Sequence, residues 1–270
     1  MIDIRGVTYR AGGTLILDDV SARFAAGRFN VILGPNGAGK STLMRLATGL
    51  ARPALGEIRY GDRLIESFDP ESLARTRAVL SQNIHLAFPL PVIDVAMMGR
   101  YPHYGRVPSE HDRDVVHRAL DVVGMSDKRD QPYSTLSGGE QQKVQLARVL
   151  AQISADDDAS PSGSAGASRA HRYLFLDEPT TSLDVHYQIH LLDVVRRLLD
   201  HDCTIVAILH DLNVAFEYGD RFLLLDGGRV AREYEHAADV DEADLERVFR
   251  VRARRVRDGS VDLWRFSLTP

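Results

Sequence analysis

The chain has 270 residues, of which 44% are hydrophobic, and a formal net charge of −5 at pH 7. This length and composition are those of an ordinary water-soluble protein, with one large domain or a domain and a subdomain. The net negative charge excludes a general electrostatic attraction to nucleic acid. The apolar runs are far shorter than the roughly 18 residues that a membrane-spanning helix requires, so we expect no span.

Two β-rich runs open the chain, Ile2 to Arg10 and Thr14 to Phe24, and predict strands. Tyr9 in the first run is either an ordinary strand aromatic or a platform on which a nucleotide base stacks. The N-terminus lacks the order of a signal peptide, and the single cysteine, Cys203, has no internal disulfide partner. Both features predict a cytosolic location.

A glycine-rich stretch follows the apolar run Phe29 to Leu33 and matches the phosphate-binding loop G-x-x-x-x-G-K-S/T at every fixed position. Its residues are Gly34, Pro35, Asn36, Gly37, Ala38, Gly39, Lys40, Ser41 and Thr42. The glycines allow backbone N–H groups to surround phosphates, and the helix that starts near Lys40 directs its positive end at them. We expect Lys40 to reach the β- and γ-phosphates and Ser41 to bind Mg²⁺.

By itself the loop does not separate kinases, GTPases, recombinases and transport ATPases, and a closely packed strand-to-helix turn is the structural alternative. The chemistry of Lys40 favours phosphate binding. Only three of the 33 basic residues are lysines, so arginine is the usual cation of this chain. A lysine at the one position that requires a compact ammonium group indicates selection for that group.

The middle of the chain predicts a subdomain inserted between strands of a nucleotide-binding core. A strand-like run, Arg77 to Ser81, ends at Gln82, and prolines and glycines then interrupt the sequence. From Glu110 to Val123 apolar residues recur at helical spacing. Residues 154–172 form a low-complexity stretch that predicts a flexible surface insertion, with either a docking role or merely tolerated length.

A helix start is predicted at Leu136 to Gln141, where Ser137 and Glu140 have the spacing of a capping box. The cap does not explain Gly138 and Gly139, because two glycines in a first helical turn cost roughly 1 kcal/mol each relative to alanine. Bare N–H groups at a positive helix end are what a phosphate from outside approaches.

Two further apolar runs end in polar groups. Tyr173 to Leu176 is followed by Asp177 and Glu178, and Thr204 to Leu209 is followed by His210. Buried parallel strands have such runs, and open α/β sheets bind ligands at the carboxyl ends of their strands. One carboxylate is suited to holding Mg²⁺ and its neighbour to activating a water molecule.

Taken together, these motifs resemble those of the ATP-binding subunits of ABC transporters, in the family's order and over nearly the whole chain. The correspondences are Gly34 to Thr42 with Walker A, Gln82 with the Q-loop, Leu136 to Gln141 with the signature, Leu174 to Glu178 with Walker B, Ser182 to Asp184 with the D-loop, and His210 with the switch histidine. The resemblance implies an α/β fold: a P-loop NTPase core with a mixed and parallel sheet, an N-terminal antiparallel β subdomain and an inserted α-helical signature subdomain. It implies one ATPase domain over residues 1–270, with its core at about 1–82 and 156–270 and the helical subdomain at about 83–155.

The resemblance also assigns roles within a site for ATP and Mg²⁺. Glu178 would be the general base, His210 would contact the γ-phosphate, Asp177 and Ser41 would bind the metal, and Gln82 would contact the metal or the attacking water. Tyr9 would stack on adenine. The remaining nucleotide contacts would come from Ser137, Gly138 and Gly139 of a second copy, and from Asp184.

Family members act as head-to-tail dimers bound to two transmembrane permease subunits, and importers also depend on a periplasmic substrate-binding protein. The resemblance therefore implies a peripheral protein at the cytoplasmic face of the inner membrane, with no nucleic-acid partner. Leu90 to His103 is similar to the branch that serves iron–siderophore, vitamin B12 and haem importers, and Ala147 to Gln152 with the insertion most resembles haem importers. Siderophore or B12 import is the alternative substrate assignment. Soluble ABC ATPases of DNA repair or translation are disfavoured, because the chain has no sustained heptads and a single set of motifs.

Overall fold

The structure is a computed structural model that describes residues 1–81, 89–154, 171–181, 183–258 and 261–268. The predicted site residue Gln82, Ser182 of the predicted D-loop and most of the predicted insertion lie outside the described residues. Among the residues described, no helix combines the length and the apolar character that crossing a membrane requires.

The described strands are β1 (Ile2–Ala11), β2 (Thr14–Phe24), β3 (Phe29–Leu33), β4 (Leu55–Tyr60), β5 (Arg63–Leu64), β6 (Arg77–Leu80), β7 (Arg172–Asp177), β8 (Cys203–Ile208), β9 (Arg221–Asp226), β10 (Arg229–Tyr234), β11 (Val251–Asp258) and β12 (Val261–Leu268). The described helices are α1 (Lys40–Ala47), α2 (Pro70–Thr76), α3 (Val92–Met97), α4 (Glu110–Val122), α5 (Gly138–Ile153), α6 (Val185–Arg197), α7 (Leu212–Tyr218) and α8 (Glu242–Phe249). The chain divides into two compact units.

The first unit comprises Met1–Ser67, Leu176–Glu178 and Thr204–Pro270. One of its sheets has the strand order β2-β1-β4-β5 and is antiparallel. Ile2 of β1 lies opposite Phe24 on one side and Tyr60 on the other, and all three side chains are buried. The predicted N-terminal antiparallel β subdomain is confirmed.

In the same unit β10, β9, β3 and β8 are neighbours in that order. β3 runs parallel to β8 and β9, whereas β9 and β10 are antiparallel, so the predicted α/β class with a mixed sheet is confirmed. Every residue of β3 and β8 is buried, which explains why both sequences are continuous apolar runs rather than alternating ones. The chain leaves the carboxyl end of β3 directly into the glycine-rich loop.

The second unit comprises Phe68–Phe175 and Pro179–Cys203 and contains α2 to α6, with β6 beside β7. Gly99, just after α3, lies against the backbone of α5: a Cβ atom at this position would be 2.0 Å from the carbonyl oxygen of Arg148. Only a glycine permits this approach of two backbones. The predicted limits of the helical subdomain stay a prediction.

A buried ion pair fixes α4 against α5 in the second unit. The Arg100 side chain is 1% exposed, and its Nε donates to Asp112 Oδ1 at 2.9 Å while its Nη1 donates to the carbonyl oxygen of Ala151 at 3.1 Å. Ser109, the N-cap of α4, donates to Asp112 Oδ2 from its backbone N–H at 2.8 Å and its hydroxyl at 2.6 Å. Burial by itself raises the pKa of Asp112, but the hydrogen bonds from Ser109 and Arg100 outweigh it and the pKa is lowered.

Replacing Asp112 by alanine should lower the free energy of unfolding by about 3–5 kcal/mol, because the buried Arg100 loses the charge of Asp112. Urea unfolding at neutral pH measures the loss, with the exposed Asp114→Ala on the same helix as control. The pKa of Asp112 is lower in the folded state than in the unfolded state. The ion pair therefore stabilises the wild type fully at pH values above the unfolded-state pKa, and this stabilisation is lost as the pH falls through the folded-state pKa. The difference in stability between the two proteins should therefore begin to shrink as the pH falls below about 4 and vanish below the folded-state pKa of Asp112. A gap that persists at lower pH would contradict this account.

Candidate functional site

Two glycines shape the predicted phosphate loop. Gly34 leaves β3 so close to β9 that a Cβ atom would lie 2.3 Å from the carbonyl oxygen of Leu225. Gly39 precedes α1 with a φ of +96°, and a Cβ there would lie 2.7 Å from Leu17 Cδ2. Both positions therefore require glycine, for the close approach and, at Gly39, for the left-handed backbone. The loop presents backbone rather than side chains at these points.

The N-terminus of α1 is open to an anion. Within the described chain no side chain caps this helix, and its first turn carries no acidic residue. Lys40 is 6% exposed, and its Nζ donates to the carbonyl oxygens of Gly34 at 2.8 Å and Pro35 at 3.0 Å. Burial lowers the pKa of Lys40, and the charges of Glu178 and Asp177 oppose that shift. The loop thus curls around its own ammonium group, next to two carboxylates.

Asp177, the last residue of β7, has the chemistry of a magnesium ligand. Ser41 Oγ donates to Asp177 Oδ1 at 3.4 Å. Burial and the charge of Glu178 raise the pKa of Asp177, while Ser41, Lys40 and His210 oppose the shift. Mg²⁺ prefers oxygen ligands and is held by one or two carboxylates together with substrate phosphates, so this hydroxyl and carboxylate fit it. The described residues form no group of three or more His, Cys, Asp or Glu that would enclose a metal by themselves.

Glu178 lies beside His210, although the two are far apart in sequence. The backbone N–H of Glu178 donates to the carbonyl oxygen of Ile208 at 3.2 Å, which brings the ends of β7 and β8 together. His210 Nε2 lies 2.6 Å from Glu178 Oε1, and because a carboxylate only accepts, Nε2 carries the hydrogen. The side chains remain 21% exposed for Glu178 and 46% for His210, so a reactant has access to both.

Glu178 also has an unusual backbone. Its φ is +52°, in the left-handed region that residues other than glycine rarely occupy. Such a conformation costs about 1 kcal/mol or more and persists only where the surrounding structure imposes it. The hydrogen bond to Ile208 and the contact with His210 help to hold it here. The carboxylate is therefore aimed by the fold rather than by local preference.

Tyr9 lies on β1 and is half-buried. Its cross-strand partner is Leu17 on β2, the residue that a Cβ atom at Gly39 would strike. The structure thus brings Tyr9 into the neighbourhood of the phosphate loop within the first unit. Its stacking role stays a prediction.

The predicted signature begins α5 in the second unit, and the predicted capping box is confirmed. Glu140 N donates to Ser137 Oγ at 3.4 Å, and Ser137 N donates to Glu140 Oε2 at 3.0 Å. Hydrogen bonds from Lys128 and Ser137 lower the pKa of Glu140 to about 2. A Cβ atom at Gly138 would meet nothing within 4 Å, and one at Gly139 would meet only Leu183 Cδ2 at 3.7 Å. Nothing in the described chain requires glycine at either position.

Sequence reasoning missed how the signature helix is held. Gln142 Nε2 donates to the carbonyl oxygen of Pro179 at 2.9 Å, and Lys143 Nζ lies 3.4 Å from the centroid of the Tyr187 ring. Asp184, which was expected at the nucleotide, is the N-cap of α6 and accepts from Tyr187 N at 3.0 Å. The scarcity of lysine was the only signal at Lys143, and it does not identify a partner on another helix.

The first unit therefore assembles five predicted residues around one point: Lys40, Ser41, Asp177, Glu178 and His210. The second unit holds Ser137, Gly138, Gly139 and Asp184. The individual roles assigned from the sequence stay predictions.

Comparison with known proteins gives related sequences over most of the chain. The profile of the ABC transporter family matches residues 17–155. The hemin import ATP-binding protein HmuV of Agrobacterium fabrum (strain C58 / ATCC 33970) is 41% identical over 249 residues, which cover 92% of this chain and 91% of the relative. The protein of the same name from Escherichia coli O157:H7 is 42% identical over 231 residues, covering 85% of this chain and 84% of the relative.

Solved structures agree on the fold. A metal-chelate type ABC transporter in an inward-facing conformation superposes with a TM-score of 0.77 at 22% identity, covering 98% of this chain and 95% of the other. A bacterial ABC transporter cassette solved as a dimer, MJ0796, has a TM-score of 0.71 at 27% identity and covers 87% of this chain and 98% of the other.

Proposed function

Because the chain belongs to the ABC transporter family of ATP-hydrolysing subunits, we propose that it supplies the energy for an importer that takes haem across the bacterial inner membrane. The similarity to hemin import ATP-binding proteins along almost the whole chain carries the choice of haem. The grouping of Lys40, Ser41, Asp177, Glu178 and His210 in one unit supports hydrolysis rather than nucleotide binding alone.

The chain's own residues divide the work of hydrolysis. The phosphate loop and the N-terminus of α1 bind the phosphates, with Lys40 as the neutralising cation. Ser41 and Asp177 would hold Mg²⁺, which neutralises negative charge on the β- and γ-phosphates when bound. Glu178 accepts the proton of the attacking water. His210 would contact the γ-phosphate. Gln82 would contact the metal or the water, and Tyr9 would stack on adenine.

A second copy of the chain completes each nucleotide site. The open space around Gly138 and Gly139 and the positive end of α5 support contact with a phosphate held by another subunit. Ser137 would add a hydroxyl to that contact, with Asp184 nearby in the same unit. ATP then closes a head-to-tail dimer, and hydrolysis reopens it.

The dimer would act on two transmembrane permease subunits, to which a periplasmic binding protein delivers haem. This places the chain as a peripheral protein on the cytoplasmic face of the inner membrane. The test is co-purification of the chain with its permease, reconstitution into vesicles with the binding protein, and measurement of ATP hydrolysis with haem, a ferric siderophore or vitamin B12. We expect stimulation by haem and by neither of the others, and no stimulation of a complex that carries Glu178→Gln.

Stimulation by B12 or a siderophore but not by haem would overturn the substrate while leaving the importer assignment in place. Failure of the chain to co-purify with any permease would overturn the importer assignment itself.

A further inference from the structure

The helix that follows His210, α7, needs tertiary contacts to fix its position. α7 has seven residues, and helices of this length are marginal in water without tertiary contacts. Asp211 is its N-cap and accepts from the backbone N–H groups of Asn213 and Val214 at 2.8 and 3.2 Å. These bonds form the first turn but do not fix the direction of the helix. The orientation of His210 therefore depends on what α7 packs against.

Asn213 provides a two-point attachment for α7. Its Nδ2 donates to the carbonyl oxygen of Trp264 at 3.1 Å, and its Oδ1 accepts from the Trp264 backbone N–H at 2.7 Å. The amide orientation follows from this pairing, because the opposite flip would set donor against donor and acceptor against acceptor. Two parallel bonds to one residue fix direction as well as distance. Phe216, one turn further along, packs on the Trp264 ring at 5.5 Å between centroids.

The partner strand is itself held firmly. β11 and β12 form a two-stranded ribbon in which Arg255 lies opposite Trp264, and such ribbons are marginal alone because both edges carry unpaired backbone groups. On the β11 edge, α8 supplies the acceptors: Ala253 N donates to Glu246 Oε1 at 3.1 Å and Arg255 N to Glu242 Oε1 at 2.7 Å. On the β12 edge, Asn213 supplies an acceptor for the Trp264 backbone N–H and a donor for its carbonyl oxygen.

Arg255 also packs on the Trp264 ring. Its guanidinium carbon lies 4.8 Å from the centroid of the Trp264 ring, and its Nη2 donates to the carbonyl oxygens of Ala237 at 3.1 Å and Val240 at 2.8 Å. Trp264 is 5% exposed. The C-terminal ribbon is thus a fixed support, and Asn213 is the polar link between it and α7.

We propose that Asn213 is a positioning residue for ATP turnover: by pairing with the Trp264 backbone it fixes α7 on the C-terminal ribbon and so keeps His210 facing Glu178. The inference rests on the role proposed for His210.

The test compares Asn213→Ala, Arg254→Gln and His210→Ala with the wild type in steady-state ATP hydrolysis by the full chain. We expect Asn213→Ala to lower kcat by about 10- to 100-fold, the effect of misplacing a catalytic group by about an ångström. The KM for ATP should stay near the wild-type value, because the phosphate loop is untouched. Arg254→Gln removes an exposed ion pair between the ribbon and Glu242 of α8 without touching Trp264 or α7, so it should leave kcat unchanged.

Trp264 supplies a second readout, because it is the chain's single tryptophan. ATP should change its fluorescence in the wild type and not in Asn213→Ala, since coupling between His210 and Trp264 is reciprocal. The Asn213→Ala/His210→Ala double variant should be no slower than His210→Ala alone, because both changes remove the same contribution.

An Asn213→Ala variant that keeps wild-type kcat, or an equal loss of kcat in Arg254→Gln, would overturn the proposal. If Asn213→Ala does not fold, Asn213→Asp is judged by the same criteria, because it keeps the acceptor for the Trp264 N–H and loses only the donor. Wild-type turnover in His210→Ala would remove the role proposed for His210 and this inference with it. If His210→Ala loses turnover and Asn213→Ala does not, the role proposed for His210 stands and only the inference about Asn213 is refuted.

Discussion

Glu178→Gln should lower kcat for ATP hydrolysis by about 10²- to 10⁴-fold, the range that a general base contributes, while ATP still binds. Glutamine has the shape of glutamate and keeps an oxygen that accepts from His210 Nε2, so the geometry at 2.6 Å survives. It tolerates the left-handed backbone as well as glutamate does. An amide, however, cannot take a proton from water.

Binding should be equal or tighter in this variant, because one negative charge near the phosphates is removed. The same change should bring the pKa of Asp177 closer to its usual value, since the charge of Glu178 is one cause of its elevation. Phosphate release at saturating ATP measures turnover, and equilibrium titration with a fluorescent ATP analogue measures affinity. Glu66→Gln, an exposed glutamate of the same unit, is the matched control and should behave as wild type. Wild-type hydrolysis by Glu178→Gln would mean that another group is the base.

Gly139→Leu should have opposite effects on stability and on activity. Gly139 lies in the first turn of α5, where leucine favours the helix by about 0.8 kcal/mol over glycine. A Cβ atom there makes only an ordinary contact with Leu183 at 3.7 Å, so the free energy of unfolding should rise slightly. Turnover should nevertheless fall by about 10²-fold, because the side chain displaces the phosphate that a second subunit presents. Gly105→Leu, at an equally open glycine in a loop of the same unit, should leave turnover unchanged.

Mixed dimers decide whether the site is shared between subunits. A Lys40→Ala subunit paired with a Gly139→Leu subunit retains one intact site, made of the second subunit's loop and the first subunit's signature. A wild-type subunit paired with one that carries both changes retains none. Residual ATPase activity should therefore appear in the first heterodimer, purified free of homodimers, and not in the second. Activity in the second purified heterodimer, or equal activity in both, would contradict the composite site.

Some of the site could be predicted from sequence because it is encoded locally. The fixed positions of the phosphate loop determine a strand, a nest of N–H groups and a helix within a few residues. The apolar run before Asp177 predicts a buried strand from a few neighbouring residues alone. The cap at Ser137 and Glu140 depends only on helical spacing. The mixed sheet and the N-terminal antiparallel sheet also followed, both once the family resemblance was included.

Other parts could not be predicted, because they depend on which strand ends and helix faces meet. Nothing local to Glu178 specifies its left-handed backbone, and the contact with His210 exists only because β7 and β8 end side by side. The burial of Arg100 with Asp112 likewise depends on the packing of α4 on α5. An exposed pair and a buried pair look the same in a sequence.

By itself, the sequence determined the motif of a phosphate loop, which predicts a site for a nucleoside triphosphate, and the residue types that accompany it, because each motif is a short-range consequence of chain geometry. Only the tertiary structure decided that Lys40, Ser41, Asp177, Glu178 and His210 converge in one unit. It also decided that the signature glycines face open space and that Asn213 links α7 to the C-terminal ribbon. The physical reason is that hydrogen bonds and burial act through space. Residues far apart in the chain acquire a common function only when the core that joins them has formed.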